Sequence, residues 1–116
     1  MSTYTIWHNP RCSKSRQTMG ILEENGIEAD VVKYLDETQS VEAIKEVLNK
    51  LNISARELMR TKEDEYKSLG LKDEMDEDKL IEAMADHPKL IERPIVIKGD
   101  KAVLGRPPEK VLELFQ

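Results

Sequence analysis

The stretch His8-Asn-Pro-Arg-Cys-Ser-Lys-Ser-Arg16 holds Cys12, the only cysteine among 116 residues, with Arg11, Lys14 and Arg16 close on either side. A thiol acts as a nucleophile in its thiolate form, and a free cysteine titrates near ~8.5. Cationic neighbours or a helix N-terminus lower that to roughly 3.5–7.5. A lone cysteine is more often a small buried hydrophobe, but that use calls for apolar sequence neighbours, which Cys12 lacks. The residue types therefore suit a reactive thiolate. A helix start beside it would also offer free N–H groups to an oxyanion. A dianion needs more positive charge than a helix end supplies, and arginine is the suited donor because its fork meets two oxygens at once.

The chain has six arginines. Arg93 and Arg106 each precede a proline, which drives the backbone at that position toward extended conformation. Arg56 and Arg60 stand four apart and are expected on one helix face. Ser15, three residues after Cys12, can reach the sulfur from the next turn and donate a hydrogen bond to it. His8 sits at a strand end, where it either hydrogen-bonds the loop or serves as a base. His87, before Pro88, reads as a helix-end residue. No metal site and no bound cofactor are expected. With no second cysteine, any redox cycle at Cys12 needs an outside thiol. A cysteine phosphatase loop requires arginine six residues after the cysteine, and that position is Thr18. A dithiol oxidoreductase requires a second cysteine where Ser15 stands.

These residues need elements to position them. Tyr4–Trp7 reads as a short strand stopped by Asn9-Pro10, Ser13 to Asn25 as a helix ended by Gly26, and Ala29 to Leu35 as a second strand. Met19, Ile21 and Leu22 are expected on the inner face of that helix. A strand–helix–strand opening places the strands parallel. Ser40 is expected to cap a helix running through Val41, Ile44, Val47, Leu48 and Leu51. Ser54-Ala-Arg-Glu57 is a capping box. Residues 63–69 suggest another helical turn or two, and Asp76 caps a further helix that stops at His87-Pro88. Residues of about 40–87 thus form an all-helical insertion without strand signal. Residues 95–98 and 102–104 flank Gly99-Asp100, a two-residue hairpin turn with glycine first. Pro107-Pro108 opens a last helix with Val111, Leu112 and Phe115 inward. The order predicts an α/β, thioredoxin-like fold: one domain over 1–116, with a mixed four-stranded sheet, flanking helices and the helical insertion. In such folds the proline that opens the third strand is cis and faces the active cysteine, which would bring Arg93 near Cys12.

Composition narrows the function classes. Hydrophobic residues make up 39% and charged residues 35%, enough for one core under a charged surface. A net charge of −5 argues against a nucleic-acid partner. No apolar run approaches the ~18 residues of a membrane span, and the start shows no secretory pattern. The chain is therefore expected in a reducing, cytoplasmic compartment.

Several ordered motifs carry a resemblance: HNPRCSKSR at 8–16, YLDE at 34–37, ISARELMR at 53–60, LIERPIVI at 90–97 and LGRPPEKVLEL at 104–114. Together they make the chain similar to the arsenate reductases that use glutathione and glutaredoxin, with HNPRCSKSR closest to a housekeeping branch. The resemblance implies that Cys12 attacks arsenate or a similar oxyanion, and that Arg60, Arg93 and Arg106 bind it. His8 matches a histidine near the nucleophile. Glutathione would be co-substrate, with electrons passed on through glutaredoxin. Two other readings stand beside it: a monothiol-glutaredoxin-like exchange protein, from Cys12-Ser-Lys-Ser15, and a non-enzymatic adaptor of the same fold.

Overall fold

The computed structural model describes residues 4–115. Its contacts form two compact units, one built from the residues up to Glu37 together with those from Arg93 onward, the other from Thr38–Glu92.

In the first unit the β-branched and aromatic run Tyr-Thr-Ile-Trp forms β1 (Tyr4–Trp7). A turn through Asn9-Pro10 leads into α1 (Ser13–Glu24), which Asn25 closes before Gly26 at φ +71°. β2 (Asp30–Val32) follows, parallel to β1. The predicted strand 29–35 is cut to three residues because the chain folds back at Lys33. Its carbonyl accepts from the amides of Asp36 and Glu37 at 2.9 and 2.8 Å. Tyr34 is thereby released from the strand and stacks on Trp7, ring centroids 6.4 Å apart.

The chain returns in β3 (Ile95–Lys98) and β4 (Lys101–Leu104), antiparallel, with Lys98 opposite Lys101. That register leaves Gly99 and Asp100 as the whole turn, and Gly99 takes φ +59°, as the glycine-first hairpin requires. The sheet order is β2-β1-β3-β4, with β1 antiparallel to β3. This is the mixed four-stranded sheet of the thioredoxin-like fold expected from element order.

One face of this sheet carries the core: Ile6, Leu22, Val96, Val111 and Leu114 are buried together, with Met19, Ile21 and Val103 packed against them. Two details depart from the sequence reading. The buried stripe of α1 is Ser15, Thr18 and Leu22, so Met19 and Ile21 flank the inward line rather than define it. The last helix, Pro108–Phe115, is 3₁₀. Its period of three buries Pro108, Val111 and Leu114 and turns Leu112 outward, 42% exposed. An α-helical period had placed Leu112 inside. Lys98 donates to the Leu114 carbonyl at 3.0 Å and lies over the Tyr4 ring, fastening this segment to the sheet.

The second unit is helical. Ser40 caps α2 (Val41–Leu51) by accepting from the Ala43 amide at 3.1 Å, and Asn52 ends it in left-handed conformation. The capping box forms as expected and starts α3 (Ala55–Leu58). α4 (Asp64–Ser68) and α5 (Glu77–Asp86) follow, the latter capped by Asp76 and ended at His87. α3 stops early because Met59 swings into extended conformation and bridges Ile91. On either side of that bridge, Arg60 N–H donates to Leu90 O at 2.7 Å and Glu92 N–H to Leu58 O at 2.8 Å. Arg60 is therefore off the helix and does not share a helical face with Arg56, contrary to the spacing argument. Arg56 turns its guanidinium into its own unit, donating to Tyr66 Oη and to the carbonyls of Leu71 and Glu74.

Candidate active site

Cys12 is the N-cap of α1, in extended conformation, with its amide donating to Asn9 O at 3.0 Å and its carbonyl accepting from Arg16 N–H at 3.0 Å. The loop before it is held by local hydrogen bonds. Asn9 Oδ1 accepts from the Arg11 amide at 3.0 Å, an Asx turn. Arg16 reaches back to the Pro10 carbonyl at 2.9 Å. The sulfur-bearing residue is 8% exposed, so it is largely withdrawn from solvent but set among polar groups.

Burial, the largest single influence, pushes the Cys12 thiol up. Against it act the Ser15 N–H, the Arg93 charge, the Lys14 N–H and a hydrogen bond from the Arg93 side chain, and the result is a thiol held below its ordinary value. The sulfur lies outside strict capping geometry with the two amides, so they act as oriented N–H dipoles rather than full-strength bonds. Reading the sequence alone, the cationic neighbours Arg11, Lys14 and Arg16 looked responsible. The structure gives that part to Arg93, eighty-one positions away, while Lys14 contributes its backbone and Arg16 its clamp on Pro10.

Ser15 is fully buried, and its hydroxyl has a different partner from the one expected. Oγ lies 2.6 Å from His8 Nδ1 and accepts from the Asn9 amide at 3.0 Å. It is the backbone of Ser15, not its side chain, that faces the sulfur. His8, anchored by its own amide to Val32 O at 2.9 Å, braces the start of α1 through this contact. Burial first, then the Lys33 and Arg16 charges, lower its imidazole below the ordinary histidine value, so it is neutral at physiological pH.

Arg93 and Arg106 come together. Arg93-Pro94 and Arg106-Pro107 are both cis, and Arg106 Nη1 donates to the Arg93 carbonyl at 3.2 Å. Arg93 Nε is sealed from solvent. Between the two arginines lies Gly105, whose amide donates to Pro94 O at 2.9 Å. A Cβ here would lie 2.6 Å from Thr18 Oγ1 and 2.8 Å from Pro94 Cγ. Sequence reading passed over this glycine, although its place in Gly-Arg-Pro was a signal. Arg60 belongs to the second unit, where it pairs with Glu63 at 2.5 Å and, more loosely, with Glu92 at 4.0 Å. Among the described residues no group of three or more His, Cys, Asp or Glu side chains is arranged to hold a metal ion.

The arrangement offers a stabilised sulfur anion at a helix start with a guanidinium beside it, suited to attack on an electrophile that is itself anionic. Comparison with known proteins gives the family of the chain. The ArsC family matches over residues 7–114. An uncharacterized protein of Escherichia coli K12 is 55% identical over 111 residues, covering 94% of this chain and 93% of its own. An arsenate reductase of Neisseria meningitidis is 52% identical over 113 residues, covering 96% and 97%. The solved arsenate reductase from Vibrio cholerae superposes with a TM-score of 0.93 at 51% identity, covering 95% of each chain.

Proposed function

The chain belongs to the ArsC family, and from that premise we propose that it reduces arsenate to arsenite, with Cys12 as the nucleophile. The observation that carries the reading is the position of Cys12 at the cap of α1, its thiol held low by helix amides and Arg93.

In the first step the Cys12 thiolate attacks As(V). A sulfur–arsenic bond forms, and one arsenate oxygen leaves as water after taking up two protons. Arg93 and the α1 N-terminus offset the oxyanion charge in the transition state. Arg106 fixes the Arg93 carbonyl and adds charge. Arg60 is proposed as a further oxyanion ligand from the resemblance, which requires its guanidinium to exchange Glu63 for the substrate. Neutral His8 braces the Ser15 turn rather than serving as the base, since Cys12 needs no proton removed once it is a thiolate.

Reduction takes two electrons, and the chain holds one thiol. We assign the second thiol to glutathione. Its sulfur attacks the Cys12 sulfur, the sulfur–arsenic pair stays with arsenic, and As(III) departs as arsenite. The product is a Cys12–glutathione mixed disulfide, which glutaredoxin returns to the thiol. This chemistry needs a reducing thiol pool, and the cytoplasm is the compartment that supplies one. No helix among the described residues is long and apolar enough to cross a membrane.

The test is arsenate-dependent glutathione oxidation with glutaredoxin present. The protein should support it and Cys12→Ser should not. Glutathione oxidation that needs no arsenate would mark a thiol-exchange protein. No oxidation at all, with a large partner recovered by pulldown, would mark an adaptor.

A further inference from the structure

We propose that Thr18 and Gly105 are positioning residues whose contact fixes the spacing between the start of α1, which carries Cys12, and the Arg93-Pro94 segment. The inference rests on the reading of Cys12 as a nucleophile served by Arg93.

Thr18 is fully buried one turn beyond Ser15, and its hydroxyl donates to Lys14 O at 2.9 Å. Being β-branched inside a helix, it has little rotamer freedom, and this bond removes more. It presents both Oγ1 and Cγ2 to Gly105, at 2.6 and 3.2 Å from where a Cβ would stand. The third neighbour of that point is the Pro94 ring, at 2.8 Å, which cannot rotate away. Gly105 thus lies between a stiff helical side chain and a stiff ring, with no room for a methyl group.

The consequence passes to Arg93 by short links. Gly105 N–H holds Pro94 O at 2.9 Å, and Arg106 holds Arg93 O at 3.2 Å, so the exit of β4 and the entry to β3 move as one piece. Thr18 sets how near that piece comes to α1. α1 is a rigid rod at 1.5 Å per residue, so a shift at Thr18 is felt at its cap, six residues away. The hydrogen bond from Arg93 to the sulfur has a narrow distance range and fades steeply outside it. The absence of a side chain at position 105 therefore keeps Arg93 on Cys12. This differs from a requirement for unusual backbone angles, because Gly105 does not adopt positive φ.

A double-mutant cycle tests this, with the Cys12 titration followed by alkylation rate against pH and by thiolate absorbance. Gly105→Ala should move the thiol titration up toward the ordinary range. In an Arg93→Ala background the same change should produce little further shift, because it acts through Arg93. Thr18→Ala added to Gly105→Ala removes two of the three close contacts and should restore part of the lowered titration. Thr18→Val, which keeps the shape, should titrate as the native protein does. Should Gly105→Ala fail to fold, Thr18→Ile presses on the same contact from the helix side and replaces it in the cycle. An unchanged titration in the clashing variant, or a shift of equal size without Arg93, would overturn the proposal. The readout needs no arsenate, so a protein that never turns arsenate over would remove the proposed function and leave this inference standing.

Discussion

Arg93→Ala removes a charge and a hydrogen bond from the Cys12 sulfur and, on the proposed mechanism, an oxyanion partner from the substrate. The two losses differ in size, which makes them separable. Raising a thiol titration by one unit above the assay pH cuts the thiolate about tenfold. The thiolate that remains is more basic and more nucleophilic, with a Brønsted slope of ~0.4–0.5, so the net loss in attack rate is only about threefold per unit. Losing one preorganised oxyanion donor costs about 10²–10³ in rate. The oxyanion effect should dominate. The expected result is a modest fall in the rate of alkylation by a neutral reagent at pH 7, beside a loss of about 100-fold in kcat/KM for arsenate. Raising the pH until the thiol is fully ionised should restore alkylation and leave arsenate reduction impaired. The reasoning is refuted if high pH restores arsenate reduction as well, because Arg93 would then act on the thiol alone. It is also refuted if the alkylation profile does not move.

Ser15→Ala should leave the Asn9 amide and His8 Nδ1 without their shared partner, at a cost of about 1–3 kcal/mol in urea denaturation. The thiol titration should stay low, since the Ser15 amide remains; a rise would return the hydroxyl to the sulfur. Arg56→Met should cost about 3 kcal/mol, because Tyr66 Oη and the carbonyls of Leu71 and Glu74 lose a charged donor. Cys12 alkylation should be unchanged in that variant at temperatures where it is folded. The lowered His8 titration favours the fold above pH ~6.5 and loses that contribution as pH falls through the folded value. Thermal stability should therefore drop on acidification from pH 7 to 5, and less so in His8→Gln, as measured by calorimetry across that range.

Features governed by local rules were readable from the sequence. The capping box at Ser54, the Gly99-Asp100 turn and the helix start at Cys12 each depend on a few adjacent residues, and each formed. What sequence reading missed depends on distant partners. Nothing near Arg56 in the chain announces Tyr66, Leu71 and Glu74. The proline that opens the third strand was expected to bring Arg93 near Cys12, but nothing beside Cys12 in the chain shows that it, rather than Arg11 or Lys14, supplies the charge. The Ser15 hydroxyl could serve either the sulfur or His8 by spacing, and only the return of the loop decides between them. Leu112 was misplaced because α and 3₁₀ periods agree for one turn and diverge by the second.

The buried line of α1 changes character along its length, from the hydroxyls of Ser15 and Thr18 to the hydrocarbon of Leu22. An engineer seeking heat resistance would be drawn to replace those two hydroxyls with aliphatic groups, a common stabilising substitution. At Ser15 that exchange strands the Asn9 amide and His8 Nδ1 and so weakens the loop before the reactive end, whereas at Thr18 it is tolerated only where the shape of the side chain is kept. Tolerance to repacking should therefore rise sharply between the second and third turns, and a robust variant of this protein would have to be improved from Leu22 downward.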